Sequence, residues 1–386
     1  MSEATGPGLY VHWPFCLSKC AYCDFNSVAL AETGGESFLR RYAEALKREW
    51  AQRAEGEEFK GARFQTVYFG GGTPTIVPTA VLLSAARAFG LSDKGGEERE
   101  TSLEANPESA DEGKLAALRQ VGFNRLSLGV QSFSDETLRF LGRRHSAAEA
   151  RAAIAAARRA GFENLSLDLI YGVPGEAPAG WQATLKEALA IGPQHISAYC
   201  LAVEEGTELA RRLARGEFAP TPPDLQAEML WLGREMLTGA GYEHYEISNY
   251  ARPGFACRHN RNYWRRGEYL GLGAGAHSFR NGVRWWNLSS PLAYVAALEE
   301  GRLPVAGAER LSLREAGREF LFLGLRQSEG VRRAHLDTRF GTGAALLLGQ
   351  AAGLCEEGLL VAEEGRLRLA PRALAVSNQV FARLLS

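Results

Sequence analysis

Three cysteines within eight residues constrain this chain more than any other feature. Cys16, Cys20 and Cys23 directly follow a strand-like run. Thiolates this close together are usually metal ligands, whereas a disulfide would leave one thiol over. Structural zinc normally takes four ligands, commonly in CxxC pairs, and the sequence has no second pair. Three thiolates suit an iron–sulfur cubane that leaves one iron open to a substrate or cofactor, with zinc or a purely structural role as the alternatives.

Length and charge narrow the class of protein. The 386 residues are 46% hydrophobic with a formal net charge of −1, which predicts a large core and no general attraction to nucleic acid. The sequence contains no run of about 18 apolar residues, so we expect no transmembrane helix. The polar stretch Met1–Gly8 lacks the pattern of a signal peptide. We therefore expect a cytoplasmic protein with reduced thiols.

The first 240 residues alternate short β-branched or aromatic runs with longer segments of helical periodicity. The predicted strands are Leu9–Trp13, Thr66–Phe69, Thr101–Ala105, Arg125–Val130, Asn164–Tyr171 and His195–Leu201. The predicted helices are Glu36–Arg53, Thr79–Phe89, Asp111–Val121, Ser146–Ala160, Ala179–Ile191 and Pro223–Ala240. Six such units in series imply a parallel sheet with helical crossovers, in a barrel or an open sheet.

Polar groups follow the strands, at the edge where parallel α/β folds place their active sites. The glycine run Gly70–Gly72 matches neither GxGxxG nor a P-loop, so it is either a tight turn or a place where a ligand approaches the backbone. Glu104 and Gln131 end two strands. Asp168 lies within an apolar strand, where a carboxylate is costly unless it has partners.

The pattern changes after about Gly241. An aromatic and arginine-rich stretch, Cys257–Tyr269, precedes a helix at Ser312–Gly324, a hairpin at Leu359–Leu369 and a final helix at Leu374–Leu385. Helices followed by a hairpin are typical of a winged-helix-like module, and the near-neutral charge favours a packing or lid role over DNA binding. We expect a barrel in residues 1–240, a connecting segment in 241–305 and a smaller α+β domain in 306–386.

The motif CxxxCxYC after Tyr-x-His-x-Pro-Phe resembles that of the radical S-adenosylmethionine (SAM) superfamily. The segments GGGTPT, Glu-x-Asn-Pro, GVQSF, LGRRH and DLIYGVPG resemble the oxygen-independent coproporphyrinogen III dehydrogenase family and its relative, the HemW family, over nearly the whole chain. The resemblance implies a partial (β/α)6 barrel open on one side. It also implies a [4Fe-4S] cluster, SAM chelated at the open iron, and an electron donor for the cluster.

The resemblance also implies individual ligands. It places the cluster on Cys16, Cys20 and Cys23. Around SAM it places Tyr10, Tyr22, Gly71, Gly72, Thr73, Glu104, Gln131, Arg143 and Asp168. Of these, Arg143 and Glu104 are expected near the polar groups of SAM, and Asp168 on its ribose.

Two departures separate the relatives. The dehydrogenases carry a further cysteine where this chain has Phe25, and a long N-terminal extension where about nine residues precede the first strand here. Proteins of the HemW family lack both features. The resemblance therefore favours a heme chaperone that delivers heme to an acceptor hemoprotein over an enzyme that oxidatively decarboxylates coproporphyrinogen III.

The stretch Cys257–Trp264 contains the motif His-Asn-x-x-Tyr-Trp, which the resemblance associates with heme. A neutral imidazole can ligate heme iron, aromatic faces suit a porphyrin, and arginines suit its propionates. We expect His259 to be the axial ligand, with Cys257 and His277 as weaker candidates. The alternative is that the segment docks the second domain and His259 is hydrogen-bonded in a core.

Overall fold

A twelve-stranded sheet organises the first 310 residues of the computed structural model, which describes residues 6–91, 99–341 and 343–385. Met1–Thr5, in the polar N-terminal stretch, lie outside the described residues. The strands up to residue 200 are β1 (Gly8–Trp13), β2 (Phe15–Cys16), β3 (Val28–Ala29), β4 (Thr66–Gly71), β5 (Glu100–Ala105), β6 (Arg125–Gln131), β7 (Asn164–Tyr171) and β8 (His195–Cys200). Of these, β2 and β3 form a separate two-stranded pair beside the cysteines.

Helices separate the strands and cover the outside of the sheet. They are α1 (Glu36–Glu55), α2 (Thr79–Ala88), α3 (Glu112–Gln120), α4 (Asp135–Phe140), α5 (Ala147–Arg159), α6 (Pro178–Ile191), α7 (Glu208–Ala214) and α8 (Pro223–Gly239). The sequence did not predict the short helices α4 and α7, which have six and seven residues. Each begins at a hydroxyl side chain, Ser134 or Thr207, that accepts a hydrogen bond from a backbone N–H of the first turn.

Residues 241–310 continue the same sheet. They form β9 (Glu243–Glu246), β10 (Asn249–Ala251), α9 (Arg258–Trp264), β11 (Tyr269–Leu272), β12 (His277–Arg280), β13 (Val283–Asn287), α10 (Pro291–Glu299) and β14 (Val305–Arg310). The strand order is β14-β13-β12-β11-β1-β4-β5-β6-β7-β8-β10-β9. The strands β1 and β4 to β8 are parallel and follow chain order, which confirms the predicted partial six-unit barrel.

Alternation along each strand divides the residues between two environments. On β1, Leu9, Val11 and Trp13 are fully buried in the apolar core that the strands share with the helices. The side chains of Tyr10 and His12 point to the inside of the barrel, where they hydrogen-bond each other. The interior of the barrel is therefore lined with polar and aromatic groups.

Residues 311–341 and 343–385 have a core of their own. They form α11 (Leu313–Leu325), β15 (Val331–Arg332), α12 (Arg333–Phe340), α13 (Gly343–Glu356), β16 (Leu360–Glu363), β17 (Arg366–Leu369) and α14 (Ser377–Leu385). The order β15-β17-β16 next to α11, α12 and α13, with α14 after the hairpin, is a winged-helix-like arrangement. The hairpin predicted at Leu359–Leu369 is present, and it turns at Glu364 and Gly365, both with positive φ.

No described helix has both the length and the apolar character needed to span a lipid bilayer.

Candidate functional site

The cysteines lie on one loop at the carboxyl ends of the parallel strands, which we call the cysteine end of the barrel. Cys16, Cys20 and Cys23 are free thiols and partly exposed. The loop is fixed at Ala21, whose N–H donates to the Leu141 carbonyl (3.3 Å) and whose carbonyl accepts from the Leu209 N–H (2.7 Å). The short helices α4 and α7 thus hold the cysteine loop in place.

A chain of polar contacts connects two of the three cysteines. Arg143 donates to Cys20 Sγ (3.3 Å) and to Asn106 Oδ1 (2.6 Å). Asn106 Nδ2 donates to Thr73 Oγ1 (2.8 Å), and Thr73 Oγ1 lies 3.7 Å from Cys16 Sγ. The site prediction omitted Asn106, although the Asn before Pro107 at the end of β5 was the available signal. We call this chain of contacts the Arg143 relay.

The donor set fits an iron–sulfur cluster. Three thiols on one loop supply three of the ligands of a cubane and leave the fourth iron without a protein ligand, and the guanidinium of Arg143 supports negative charge on sulfur. In the part of the chain that the structure describes, no three His, Cys, Asp or Glu side chains converge so that they could hold a single metal ion. A cubane does not require that convergence, because each thiolate binds a different iron.

The glycine turn packs tightly against protein atoms. A Cβ on Gly71, which has φ +117°, would lie 2.4 Å from His12 Nδ1, and a Cβ on Gly72 would lie 2.5 Å from the Phe15 carbonyl oxygen. His12 was not a predicted site residue, yet its Nε2 lies 2.9 Å from the Asn26 carbonyl at the end of the cysteine loop. Both glycines are therefore required by the packing of the turn itself.

Glu104 joins this turn to the inside of the barrel. Its carboxylate accepts from the Gly71 N–H (3.0 Å) and from Tyr68 Oη (2.7 Å). Burial, with a smaller contribution from Asp168, raises the pKa of Glu104 to about 7, although the hydrogen bonds oppose that shift. A carboxyl group with this pKa can change its charge near neutral pH when a cation comes close.

Asp168 has the partners that its burial demands. Ser197 donates to Oδ1 (2.8 Å), Ser127 lies 3.1 Å from both oxygens, and Ser166 lies at 3.5 Å. Burial raises the pKa of Asp168, while the serines and Arg125 act in the opposite direction. Hydroxyls from three neighbouring strands thus stabilise this acid.

Gln131 ends β6 in an unusual conformation. Its φ is +65° and it is buried, with a break in strand register between Leu128 and Gln131. Left-handed backbone at a side chain other than glycine is concentrated at functional sites, because the surrounding structure must compensate for the strain. Tyr22, by contrast, packs in a small apolar cluster with Leu141, and burial raises its pKa.

His259 lies at the opposite end of the barrel, where the strands begin. Its Nδ1 is 2.7 Å from Thr66 Oγ1, and its Nε2 is 2.9 Å from Tyr263 Oη. The side chain is 1% exposed, its ring stacks on Tyr68, and burial lowers its pKa to about 3. Both ring nitrogens therefore have protein partners. This geometry matches the alternative in which His259 is hydrogen-bonded in a core.

Glu100 fixes α9 against this end of the barrel. Its carboxylate accepts from the backbone N–H groups of Arg258 and His259, both at 3.1 Å. Burial opposes charge on Arg125, but the neighbouring Cys257 and Glu100 raise the pKa of this guanidinium above its ordinary value. We call this arrangement, formed by α9, Glu100 and Arg125, the plugged end of the barrel.

A cavity of about 440 Å³ opens beside β1, between the sheet and the C-terminal domain. Its walls include Tyr263 and Trp264 of the His-Asn-x-x-Tyr-Trp motif, Tyr269, Phe279 and the exposed His277. Tyr10 also lines it, so one predicted SAM residue faces this space. We call it the aromatic cavity. The motif therefore contributes two rings to an accessible surface, while its histidine lies behind Tyr263.

Comparisons with known proteins define the class first. The model of the radical SAM superfamily matches residues 10–188, and the model of the HemN C-terminal domain matches residues 311–376. The solved structure of coproporphyrinogen III oxidase (HemN) from Escherichia coli, a radical SAM enzyme, superposes with a TM-score of 0.83 at 24% identity, covering 99% of this chain and 91% of that one. The protein is a radical SAM protein with a HemN-type C-terminal domain.

Curated relatives identify the family within that class. The heme chaperone HemW of Mycobacterium tuberculosis is 40% identical over 382 residues, which are 98% of this chain and 94% of the relative. The heme chaperone HemW of Synechocystis is 40% identical over 351 residues, which are 88% of this chain and 82% of the relative. The chain belongs to the HemW family. Its place in the radical SAM superfamily implies a [4Fe-4S] cluster and SAM.

Proposed function

We propose that this protein is a heme chaperone that binds a [4Fe-4S] cluster, SAM and heme, and delivers heme to an acceptor hemoprotein. The observation that carries the proposal is the aromatic cavity, because its wall includes two rings of the motif associated with heme. Aromatic faces next to arginines suit a porphyrin with carboxylates on its edge. The names of the curated relatives support the same function.

Cys16, Cys20 and Cys23 would hold the cluster at the cysteine end. When bound, the cluster supplies reducing electrons and an open iron at which SAM is chelated. Arg143 supports the charge on Cys20 and orders the strand ends through the Arg143 relay. An electron donor for the cluster belongs to the proposal.

For SAM, we propose contacts with Tyr10, Tyr22, Gly71, Gly72, Thr73, Glu104, Gln131, Arg143 and Asp168. Glu104 has the chemistry to pair with an ammonium group, since a nearby cation would stabilise its ionised form. Asp168 would accept from ribose hydroxyls in exchange for some of its serine contacts. We propose that residues 1–240 carry these sites, and that residues 241–305 and 306–386 bound the aromatic cavity.

Phe25 supports the chaperone over the decarboxylating enzyme. It stands where the dehydrogenases have a further cysteine, and the residue is 63% exposed on the cysteine loop. An exposed phenyl ring can contact a ligand or partner, but it cannot supply a thiol. The predicted ligation of heme iron by His259 stays a prediction, and it requires one of the two ring nitrogens to give up its hydrogen bond, either Nδ1 to Thr66 or Nε2 to Tyr263.

A heme titration of the anaerobically reconstituted protein, run alongside a coproporphyrinogen III turnover assay, tests this function. The expected result is one heme per chain, transfer of that heme to an apo-hemoprotein, and no protoporphyrinogen. Turnover of coproporphyrinogen III without heme binding would instead establish the decarboxylating enzyme.

A further inference from the structure

One face of the sheet at the aromatic cavity is a platform of rings and cations. Along β12, His277 and Phe279 share a face because side chains alternate. Their partners on β13 are Trp286 opposite His277 and Arg284 opposite Phe279. Tyr269 of β11 pairs with Phe279 on the other side. Three adjacent strands therefore present one surface of the kind that a planar aromatic ligand contacts.

The indole of Trp286 is accommodated by a glycine. A Cβ on Gly307, in the neighbouring strand β14, would lie 2.5 Å from the Trp286 ring. Without that Cβ the ring can lie over β14, and it stacks with His277 at 5.7 Å between centroids and 26° between planes. The imidazole of His277 is thus oriented by a ring and not by a hydrogen bond.

His277 differs from the other histidines near the cavity. The ring nitrogens of His12 hydrogen-bond Tyr10 and Asn26. Those of His259 hydrogen-bond Thr66 and Tyr263. Among the residues that the structure describes, none hydrogen-bonds the ring of His277, which is exposed. It also borders a second cavity of about 410 Å³ that includes Lys19 and Phe25 of the cysteine loop. An unengaged imidazole nitrogen is the form that binds iron.

The same cavity contains a pair of guanidiniums that already bind a carboxylate. Glu319 of α11 accepts from Arg266 Nε at 2.5 Å and from Arg284 Nη2. All three side chains are mostly buried, with 13% to 23% of their surface exposed. The guanidinium of Arg266 also lies 4.5 Å from the centroid of Phe279. Two arginines that converge on one carboxylate form a site for another carboxylate, once Glu319 is displaced.

From the platform, the free imidazole and the arginine pair, we infer that His277 is an axial ligand of heme iron in the aromatic cavity, and that Arg266 and Arg284 bind a propionate. This inference rests on the proposed function, because it names the residues that hold the heme. His259 then acts as a positioning residue: it fixes Tyr263 in the cavity wall. Propionate binding displaces Glu319, which couples heme loading to the contact between the C-terminal domain and the barrel.

The test is a titration of ferric heme into the cluster-loaded full-length protein, followed by absorption and electron paramagnetic resonance spectra of the bound heme. His277→Gly should lose the signature of histidine ligation and bind heme at least about tenfold more weakly. Added imidazole should restore the signature, because it can occupy the space that the side chain leaves. His335→Gly is the matched control, since His335 is also exposed but lies in the C-terminal domain and does not line this cavity.

The outcomes separate the inference from the function on which it rests. If the wild type binds heme and His277→Gly keeps the same spectra, His277 is not the ligand, although the chaperone proposal stands. If the wild type binds no heme, the proposed function fails first. For the arginine pair, Glu319→Gln should raise heme affinity severalfold because a competing charge is removed. An unchanged or lower affinity in this variant would overturn the propionate assignment.

Discussion

The two ends of the barrel are built from the same six parallel strands but differ in how their polar groups are used. At the plugged end, Glu100 accepts two backbone N–H groups of α9, and both nitrogens of His259 have partners. At the cysteine end, three thiols are free and partly exposed. Buried polar atoms without a hydrogen-bond partner among the described residues occur at both ends, Arg125 Nε at the plugged end and Glu176 Oε2 at the cysteine end. The comparison shows a difference in what the polar groups contact: at the plugged end they hold α9 against the barrel, whereas at the cysteine end the three thiols are partly exposed.

Removal of a cysteine ligand should have the largest effect and should be confined to one end. Cys20→Ser is expected to abolish the cluster, because a cubane with two thiolate ligands is poorly held, while the fold remains intact. The loss of the cluster is measured by the iron content and the visible absorption of the anaerobically reconstituted protein. Cys200→Ser is the control, since Cys200 is exposed and outside the cysteine loop. A variant at Cys20 with full iron content would refute the assignment of the cysteine end.

Loss of Glu100 should have the opposite effect: the fold should be destabilised while the cluster is retained. Glu100→Ala leaves two backbone N–H groups of α9 without an acceptor and removes a negative charge that favours the buried guanidinium of Arg125, so we expect a loss of stability of about 1–3 kcal/mol for each unsatisfied N–H group. Chemical denaturation measures this loss. Iron content per folded molecule should stay at the wild-type value. If Glu100→Ala lost its cluster at unchanged stability, the two ends would not be separable in the way proposed.

The Arg143 relay tests the cysteine end without removing a ligand. Arg143→Lys keeps the positive charge but cannot bridge Cys20, Asn106 and the Gly129 carbonyl at once, as the guanidinium does. Contacts that support metal ligands typically change metal affinity by about 10- to 100-fold, so the variant should lose iron to a chelator roughly tenfold faster. An unchanged rate would show that the relay positions the strand ends only. The surface variant Arg144→Lys serves as the control.

The sequence predicted the barrel better than it predicted the heme region, and the physical reason is the range of the interactions. Strands such as Asn164–Tyr171 follow from local hydrophobic pattern, and the structure has the same bounds. The partners of Asp168 were predictable in kind, since a buried acid needs them, but the three serines come from different strands. The burial of His259 depends on Thr66, almost 200 residues away, and no local pattern carries that information.

The same limit explains the parts that the sequence predictions missed. The short helices α4 and α7 have few periodic positions, so their capping residues were the main signal. The strands β12 to β14 were not predicted, and they extend the sheet by successive pairing: β12 pairs with β11, β13 with β12, and β14 with β13. The aromatic cavity arises from those pairings together with α11. The cysteine motif, by contrast, is local, and it could be interpreted from spacing alone.

The smallest expected effect concerns a carboxylate at the cysteine end that lacks the partners Glu100 has. Glu176, held by Thr137 at 3.4 Å, has its pKa raised by burial from an ordinary value of 4.5 to about 7. Its protonated form therefore stabilises the folded state below about pH 4.5, and that contribution is lost as the pH rises through about 7. At pH 8 the folded state must keep Glu176 as a half-buried carboxylate, which costs free energy. Glu176→Gln removes this cost and should stabilise the protein by roughly 1 kcal/mol at pH 8, after allowance for solvent screening, but by almost nothing at pH 4.5. Thermal unfolding at both pH values measures the difference, with an expected gain of about 1–2 °C at the higher pH. An equal gain at both values would mean that the effect comes from packing and not from the charge, and that this carboxylate is already as well satisfied as the one at the plugged end.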